Sequence, residues 1–354
     1  MSVAPSSPPV PPSPPSTSKS WSGAELAANP QRWTRTWNDE QLHDLIEAAA
    51  GLDEADLSGL DLRTVAPGSI RSLAADIRRD LLDGLGFTLM TGFPVEELDL
   101  VTSAGAFMIL GRLIGEPRSQ NAAGHLLGHV LDVGRDLDDP STRIYQTHER
   151  QSFHTDSTDV VGLLSLRAAK SGGLSMLASA EKAYQLVYER NPDLAVRLFV
   201  PLPTDWRDEE PEGRQPWFEI PVLSWYDEKL TVLYQRTYIN SASRFADAPR
   251  PDAQHIAALD VFDEVLNEPD VHLKMQLAPG DIQFVHNHSL LHDRTAFVDH
   301  DDPGARRHLL RLWLSVEGDR ALPPVFAQRY GSIEIGNRGG IMRSDTELNV
   351  SLTA

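Results

Sequence analysis

From residue 160 onward the chain breaks into short apolar runs that never settle into a βαβ rhythm. "VGLLSLRAA", "LSMLAS", "PVLSWY", "KLTVLYQRTYI", "HLKMQL", "DIQFVHN" and "RHLLRLWLS" are each bounded by Gly, Pro, Asp or Ser, the punctuation of β-strands. A doubly wound parallel sheet would need a crossover helix after each strand. Helices interrupt only in places. "SAEKAYQLVYER" is one, "NPDLAVRLF" a second with Asn191 as N-cap and Pro192 at the first helical position, and "DAQHIAALDVFDEVLN" a third. "SWYDEKLTV" reads as a hairpin turning at Asp227 and Glu228. The expected fold class is mainly β with flanking helices, closed as a double-stranded β-helix of the jelly-roll, cupin-like kind, with an insertion around 180–270.

The first part of the chain is helical. Asn38 caps "DEQLHDLIEAAAGL", where Leu42, Leu45 and Ile46 share a face, and residues 69–84 repeat Ile70, Leu73, Ile77 and Leu81 at helical spacing. "FTLMTGF" predicts a strand and "LDLVTSAGAFMILGRLIG" a further helix. Residues 1–20, "MSVAPSSPPVPPSPPSTSKS", offer almost no large apolar side chain and are expected to be a disordered Pro/Ser-rich tail, with a single domain over 21–354.

Charge and composition narrow the function. The formal net charge is −19. With no offsetting basic cluster, this argues against nucleic acid and anionic membrane surfaces as partners. There is no cysteine, which excludes disulfides, iron–sulfur clusters, thiolate zinc sites and a thiol nucleophile. Any metal must be held by His, Asp and Glu. No basic-then-apolar leader and no 18-residue apolar stretch occur, so the expected compartment is the cytoplasm. A small-molecule substrate is the expected partner, and homo-oligomerisation is left open.

Against that background "FHTDSTD" (153–159) stands out. On a strand, positions i and i+2 face one side, so His154 and Asp156 can present an imidazole and a carboxylate to one ion. Two His and one carboxylate on one face of an octahedral metal leave the remaining positions for a cosubstrate and dioxygen, as non-heme Fe(II) oxygenases require. The rival His300-Asp301-Asp302 lies in "VDHDDPGARR", which reads as a solvated turn. For a third ligand "PGDIQFVHNHSLLHDRTAF" offers His286, His288 and His292, and spacing alone does not choose among them.

Taken together, "HTD", "GDIQFVHN….LLHDRTAF", "RRHLLRLWLS" and the upstream "GFTLMTGFPVEELDL….LGRLIGEP" resemble the taurine dioxygenase and clavaminate synthase-like family of Fe(II)/2-oxoglutarate oxygenases. The resemblance runs over roughly residues 70–320 and implies Fe(II) held by His154, Asp156 and His292, with 2-oxoglutarate and O2 as cosubstrates. It further implies that Arg307 grips the distal carboxylate of 2-oxoglutarate and that Arg311 lies near the iron-bound carboxylate or the substrate anion. An arginine fork suits such bidentate work. Arg307 and Arg311 share one strand face, and Arg306 points the other way. Ser175, after the Gly-rich "KSGGLSML", matches the family's hydroxyl at the 2-oxoglutarate carboxylate. The implied reaction oxidises, by default hydroxylates, a C–H bond of a small anionic or zwitterionic molecule, releasing succinate and CO2. In the halogenases of that family a small residue replaces this carboxylate, so Asp156 makes hydroxylation the default, with desaturation, epoxidation and ring formation open on the same ligands.

His125, Gln146 and Gln151, in polar segments just upstream of the ligand pair, and Tyr238 on "QRTYI" are candidates to face the substrate. Two other readings stand beside this one. A cupin-like zinc or manganese hydrolase or isomerase would not need Arg307 and Arg311 together. A nonenzymatic jelly-roll binding protein would leave both the triad and the arginines without a purpose.

Overall fold

The structure, a computed structural model, describes residues 9–135, 142–341 and 346–353. Two sheets organise it. The larger, seven-stranded sheet contains β1 (Thr34–Thr36), β2 (Phe87–Thr91), β3 (Glu116–Pro117), β4 (Leu127–Val130), β6 (Val160–Arg167), β9 (Ile282–His286) and β11 (His308–Ser315). Its order is β1-β2-β9-β6-β11-β3, with β4 also paired to β11. The smaller sheet has the order β8-β7-β10-β5, from His272–Met275, Ser175–Ser179, Leu290–Arg294 and Gln151–His154. Apart from the parallel β1–β2 pair, the ladders of both sheets are antiparallel.

Period-two alternation explains how the layers stack. On β11, Leu310, Leu312 and Leu314 pack outward into a core shared with helices α1 (Asp39–Ala49), α2 (Gly68–Leu82) and α3 (Leu100–Ile114). The odd positions Arg307, Leu309, Arg311 and Trp313 take the other side. Leu309 joins Phe87, Leu89 and Val285 of the large sheet and Leu177, Leu273 and Leu290 of the small one in a single apolar cluster. The two sheets therefore face each other. The outer side of the small sheet, through Phe153, Met176, Ala178 and Leu291, buries against α4 (Ala180–Arg190) and α7 (Ala253–Leu266). The architecture is mixed helix and strand in four layers: helices, sheet, sheet, helices.

Local signals behave as their chemistry dictates. Asn38 accepts from Gln41 N in a complete capping box, and Asn191 accepts from Leu194 N ahead of Pro192 in α5 (Pro192–Arg197). Asp227 and Glu228 take φ of 49° and 57° between paired strands Leu223–Tyr226 and Lys229–Val232, as a two-residue hairpin demands. The segment between the paired strands β7 and β8 holds that hairpin together with α4, α5, α6 (Arg236–Ser241) and α7.

Two expectations are corrected. "KLTVLYQRTYI" is not one strand: pairing ends at Val232, and Arg236–Ser241 is helical, so Tyr238 sits on α6. The Pro/Ser-rich tail is also not free up to Trp21. Its first eight residues lie outside the described ones, but Thr17 N, Thr17 Oγ1 and Ser20 Oγ all donate to the buried Glu181 carboxylate. Lys19 Nζ donates to Leu82 O at 2.6 Å. Polar side chains here dock the segment without an apolar face, because the domain supplies buried partners for them.

Candidate metal centre

β5 ends at His154, and Asp156 lies in the turn before β6. The two are thus not on one strand face as the i, i+2 argument assumed; the turn brings them together instead. His292 is the third member. In the antiparallel register His292 on β10 stands directly opposite His154 on β5, and as cross-strand neighbours their rings meet with centroids 4.1 Å apart. Asp156 Oδ1 is 3.9 Å from His154 Nε2, and Asp156 Oδ2 is 3.9 Å from His292 Nε2. One donor atom from each of the three lies within 4.8 Å of the others.

The surroundings set the protonation of these groups. His154 Nδ1 donates to Ser152 O at 2.8 Å, which leaves the Nε2 lone pair facing the cluster, where the Gln151 amide nitrogen donates to it at 2.8 Å. Burial lowers the pKa of His154, and burial together with the neighbouring His154 pushes His292 down to about 3. Both imidazoles are neutral, the form that ligates. Burial alone would raise the pKa of Asp156, but Arg311, His292, His154 and a hydrogen bond from Trp313 outweigh it and hold it below the ordinary carboxylate value. Trp313 Nε1 donates to Asp156 Oδ2 at 2.8 Å and Arg311 Nη1 at 3.4 Å, while Asp156 N donates to Asn287 Oδ1 at 3.3 Å. Two neutral imidazoles and one anchored carboxylate make a donor set suited to a divalent transition metal.

Two cavities meet these residues. The smaller, about 50 Å³, is lined by His154, Asp156, His292, Ser175, Arg307 and Gln283 among others. Arg307 is 6% exposed, and its Nη1 has no acceptor. Burial and the nearby Arg294 lower its pKa to about 9 against the opposing pull of Asp299, and the acceptorless Nη1 leaves a place for an anion. The Gly-rich turn before Ser175 is fitted to this side chain: Gly173 has φ +67°, and a Cβ there would lie 3.1 Å from Arg307 Nε. Ser175 Oγ donates to Gln283 Oε1 at 3.2 Å. These residues fit a dicarboxylate seated beside the triad.

The larger cavity, about 330 Å³, is lined by Asp156, Gln151, Arg311, Trp313 and Tyr238 among others. Arg311 Nε donates to Gln120 Oε1 at 2.7 Å. Of the four candidate substrate contacts, Gln151 and Tyr238 are on this wall. His125 and Gln146 are not. His125 contacts Asn121, and Gln146 Oε1 accepts from Arg143 N in a local turn; both answer backbone or neighbouring groups, as loop polar residues usually do.

His286 and His288 belong elsewhere. His288 Nε2 donates to Asp159 Oδ1 at 2.8 Å and His286 Nε2 to Asp319 Oδ1 at 3.0 Å. Arg338, fully buried, bridges both carboxylates at 2.7 and 3.0 Å. A guanidinium already occupies the place a cation would take, so this second His/Asp group is a closed ion network. His300 lies beside the short turn Pro303–Ala305, apart from the triad.

Sequence reasoning missed Trp313, Gln120 and Gln283. Trp313 was legible in principle, since it shares the odd-numbered face of Arg307 and Arg311. The partnerships of Gln120 with Arg311 and of Gln283 with Ser175 span 191 and 108 residues and have no local signal.

Residues 39–313 match the taurine catabolism dioxygenase TauD, TfdA family. The chain is 30% identical over 309 residues to FR-33289 synthase of Streptomyces rubellomurinus, covering 86% of this chain and 91% of that protein. It is 30% identical over 184 residues to a uridine-5'-phosphate dioxygenase of an Amycolatopsis species, covering 50% and 65%. Among solved structures, an asparagine oxygenase in complex with Fe(II), 3-hydroxyasparagine and succinate superposes with a TM-score of 0.61 at 18% identity, over 80% of this chain and 93% of the other. The non-heme iron oxygenase OrfP with Fe and alpha-ketoglutaric acid superposes with a TM-score of 0.58 at 17% identity, over 79% and 93%. These last two are likenesses of fold. With its family match spanning most of the chain and a relative 30% identical over 86% of it, the protein belongs to the taurine catabolism dioxygenase TauD, TfdA family.

Proposed function

We propose that His154, Asp156 and His292 hold the Fe(II) of this enzyme, a 2-oxoglutarate-dependent non-heme iron dioxygenase acting on a small molecule. The observation that carries the assignment is the convergence of two neutral imidazoles and one carboxylate within 4.8 Å, beside a buried arginine lacking an acceptor. When bound, iron with 2-oxoglutarate and O2 supplies oxidation of a substrate C–H bond, by default hydroxylation, with release of succinate and CO2.

The chain's own groups do the rest. Ser152 O holds the His154 proton on Nδ1, so the lone pair stays at Nε2. Trp313 and Arg311 steady Asp156 from the larger cavity. Arg307 receives the distal carboxylate of 2-oxoglutarate, with Ser175 and Gln283 beside it. Burial of Arg307 makes that contact strong and excludes water from it. Gln151 and Tyr238, on the larger wall, face the substrate. The two facing, largely antiparallel sheets, with His154 at the end of β5 and His292 opposite it on β10, support reading the fold as a double-stranded β-helix.

Anaerobic addition of Fe(II) and 2-oxoglutarate tests the reading. A visible metal-to-ligand charge-transfer absorption that appears only with both added is expected. Its absence, with zinc- or manganese-dependent hydrolysis in its place, would overturn the assignment.

A further inference from the structure

The turn that carries Asp156 is held from outside at each of its residues. Thr155 N donates to Tyr234 O at 2.9 Å, and Asp156 N to Asn287 Oδ1 at 3.3 Å. Ser157 O accepts from Gly340 N at 2.8 Å, and Ser157 Oγ from Arg329 Nε at 2.8 Å. Thr158 Oγ1 donates to Leu314 O at 2.9 Å, and Thr158 O accepts from Asn287 Nδ2 at 3.2 Å. Asp159, the second acid of "FHTDSTD", stands outside the triad, yet both its oxygens are fully engaged. Oδ1 accepts from His288 Nε2 at 2.8 Å and Arg338 Nε at 2.7 Å. Oδ2 accepts from Val316 N at 2.9 Å and Ser315 Oγ at 3.2 Å.

Val316, Arg329, Arg338 and Gly340 belong to one segment, which follows β11 and lies beyond residue 313, where the family match ends. Its backbone runs directly against the turn: Gly339 has φ +74°, and a Cβ there would lie 2.7 Å from Ser157 O. Arg338 is the fixed point of this segment. Besides Asp159 it reaches Asp319 Oδ2 through Nη2 at 3.0 Å and Arg320 O through Nη1 at 2.8 Å, and its own N donates to Ser315 Oγ at 3.1 Å. Taking a guanidinium and two carboxylates out of water is costly, and apolar side chains of the same volume would serve stability as well. What the planar fork adds is direction, since each nitrogen fixes one acceptor in place.

We propose that Arg338 is a positioning residue of the metal centre: through Asp159 it braces the turn 155–159, so that the Asp156 carboxylate is presented to the same point as His154 and His292. The C-terminal segment thus serves the metal site without supplying a ligand to it. The proposal rests on reading His154, Asp156 and His292 as the metal ligands.

The test titrates the full chain with Co(II), reading Kd by calorimetry and ligand geometry by the visible d–d absorption of the bound ion. The wild type is expected to bind Co(II) and His154→Ala to fail. Arg338→Met should weaken Co(II) by about tenfold or more, the loss usual when a group orienting a metal ligand is removed, and should change the d–d absorption. Leu73→Ala, which truncates a buried side chain on α2, should lower Tm yet leave Kd and absorption as in the wild type, and so separates lost stability from lost positioning. All Kd values are taken well below the Tm of each variant. Should Arg338→Met misfold by circular dichroism, Ser315→Ala decides the matter. It removes a single donor to Asp159 and should weaken Co(II) by about threefold, the worth of one ordinary hydrogen bond. A folded Arg338→Met, or in its place Ser315→Ala, that binds Co(II) as tightly as Leu73→Ala does and with the wild-type absorption overturns this proposal alone. A wild type that does not bind Co(II), or a His154→Ala that still does, overturns the metal reading and this one with it.

Discussion

At the scale of single residues the proposed site divides into ligands and carriers of charge. His154→Ala, Asp156→Ala and His292→Ala are each expected to abolish turnover measured as succinate release, as chelation of the metal should until Fe(II) is restored. His300→Ala should leave turnover unchanged, because its His-x-Asp sits apart from the triad. Activity retained in His154→Ala but lost in His300→Ala would move the metal. Arg307→Gln should raise the apparent KM for 2-oxoglutarate by about tenfold or more, from loss of a charge-assisted contact of about 1.5–3 kcal/mol. Iron affinity should hold, and an unchanged KM would remove Arg307 from the cosubstrate. Most of these proposed residues stand out as candidates because their spacing is local. His154 and Asp156 are two apart, and Arg307 and Arg311 share an alternating face. His292 was not separable from His286 and His288 on spacing. Strand register opposite His154 separates it, and the other two are consumed by Asp319 and Asp159.

At the scale of elements, β4 and β11 are tied to the C-terminal segment by a directional chain of hydrogen bonds. Arg167 Nη2 donates to His308 Nδ1 at 3.1 Å, His308 Nε2 to His129 Nδ1 at 2.8 Å, and His129 Nε2 to Ser351 O at 2.9 Å. The order requires both imidazoles to be neutral. Burial, with His129 and Arg167 as neighbours, lowers the His308 pKa to about 4. The unfolded state, titrating near 6.5, then binds the extra proton first. The stability from this chain is fully present above about pH 6.5 and is lost as pH falls towards 4. His308→Gln, which can accept from Arg167 and donate to His129 but cannot titrate, should flatten the fall in Tm over that window. An unaltered slope would show that His308 does not report the acid transition. The sequence carried the helices and hairpin of this scale through caps and turn residues, but not the switch from strand to helix at Arg236, where pairing stops at Val232 and the chain runs into α6.

At the scale of the whole molecule, the segment 15–20 acts as a strap. Glu181 is buried and accepts from Thr17 and Ser20, and Gln185 Nε2 donates to Pro15 O at 2.6 Å. Deleting residues 1–20 should therefore lower Tm by several degrees, since a buried carboxylate loses its donors at a cost of about 1–3 kcal/mol. An unchanged Tm would return the segment to a free tail. Composition had no means of revealing this, because a Ser/Thr-rich stretch docks only where another part of the chain leaves a buried acceptor. The same reason runs through the molecule. By itself the sequence determined what depends on near neighbours: the helix caps, the inward face of β11, the His154/Asp156 pair, the absence of thiol chemistry and the family to which the motifs point. Tertiary structure alone decided what depends on distant segments arriving at one place. It set His292 opposite His154 by register and closed His286 and His288 into an ion network. It also brought Arg143 and Arg329 to the Glu209 carboxylate on the wall of the larger cavity, because burial and charge pairing are properties of the packed interior and leave no period along the chain.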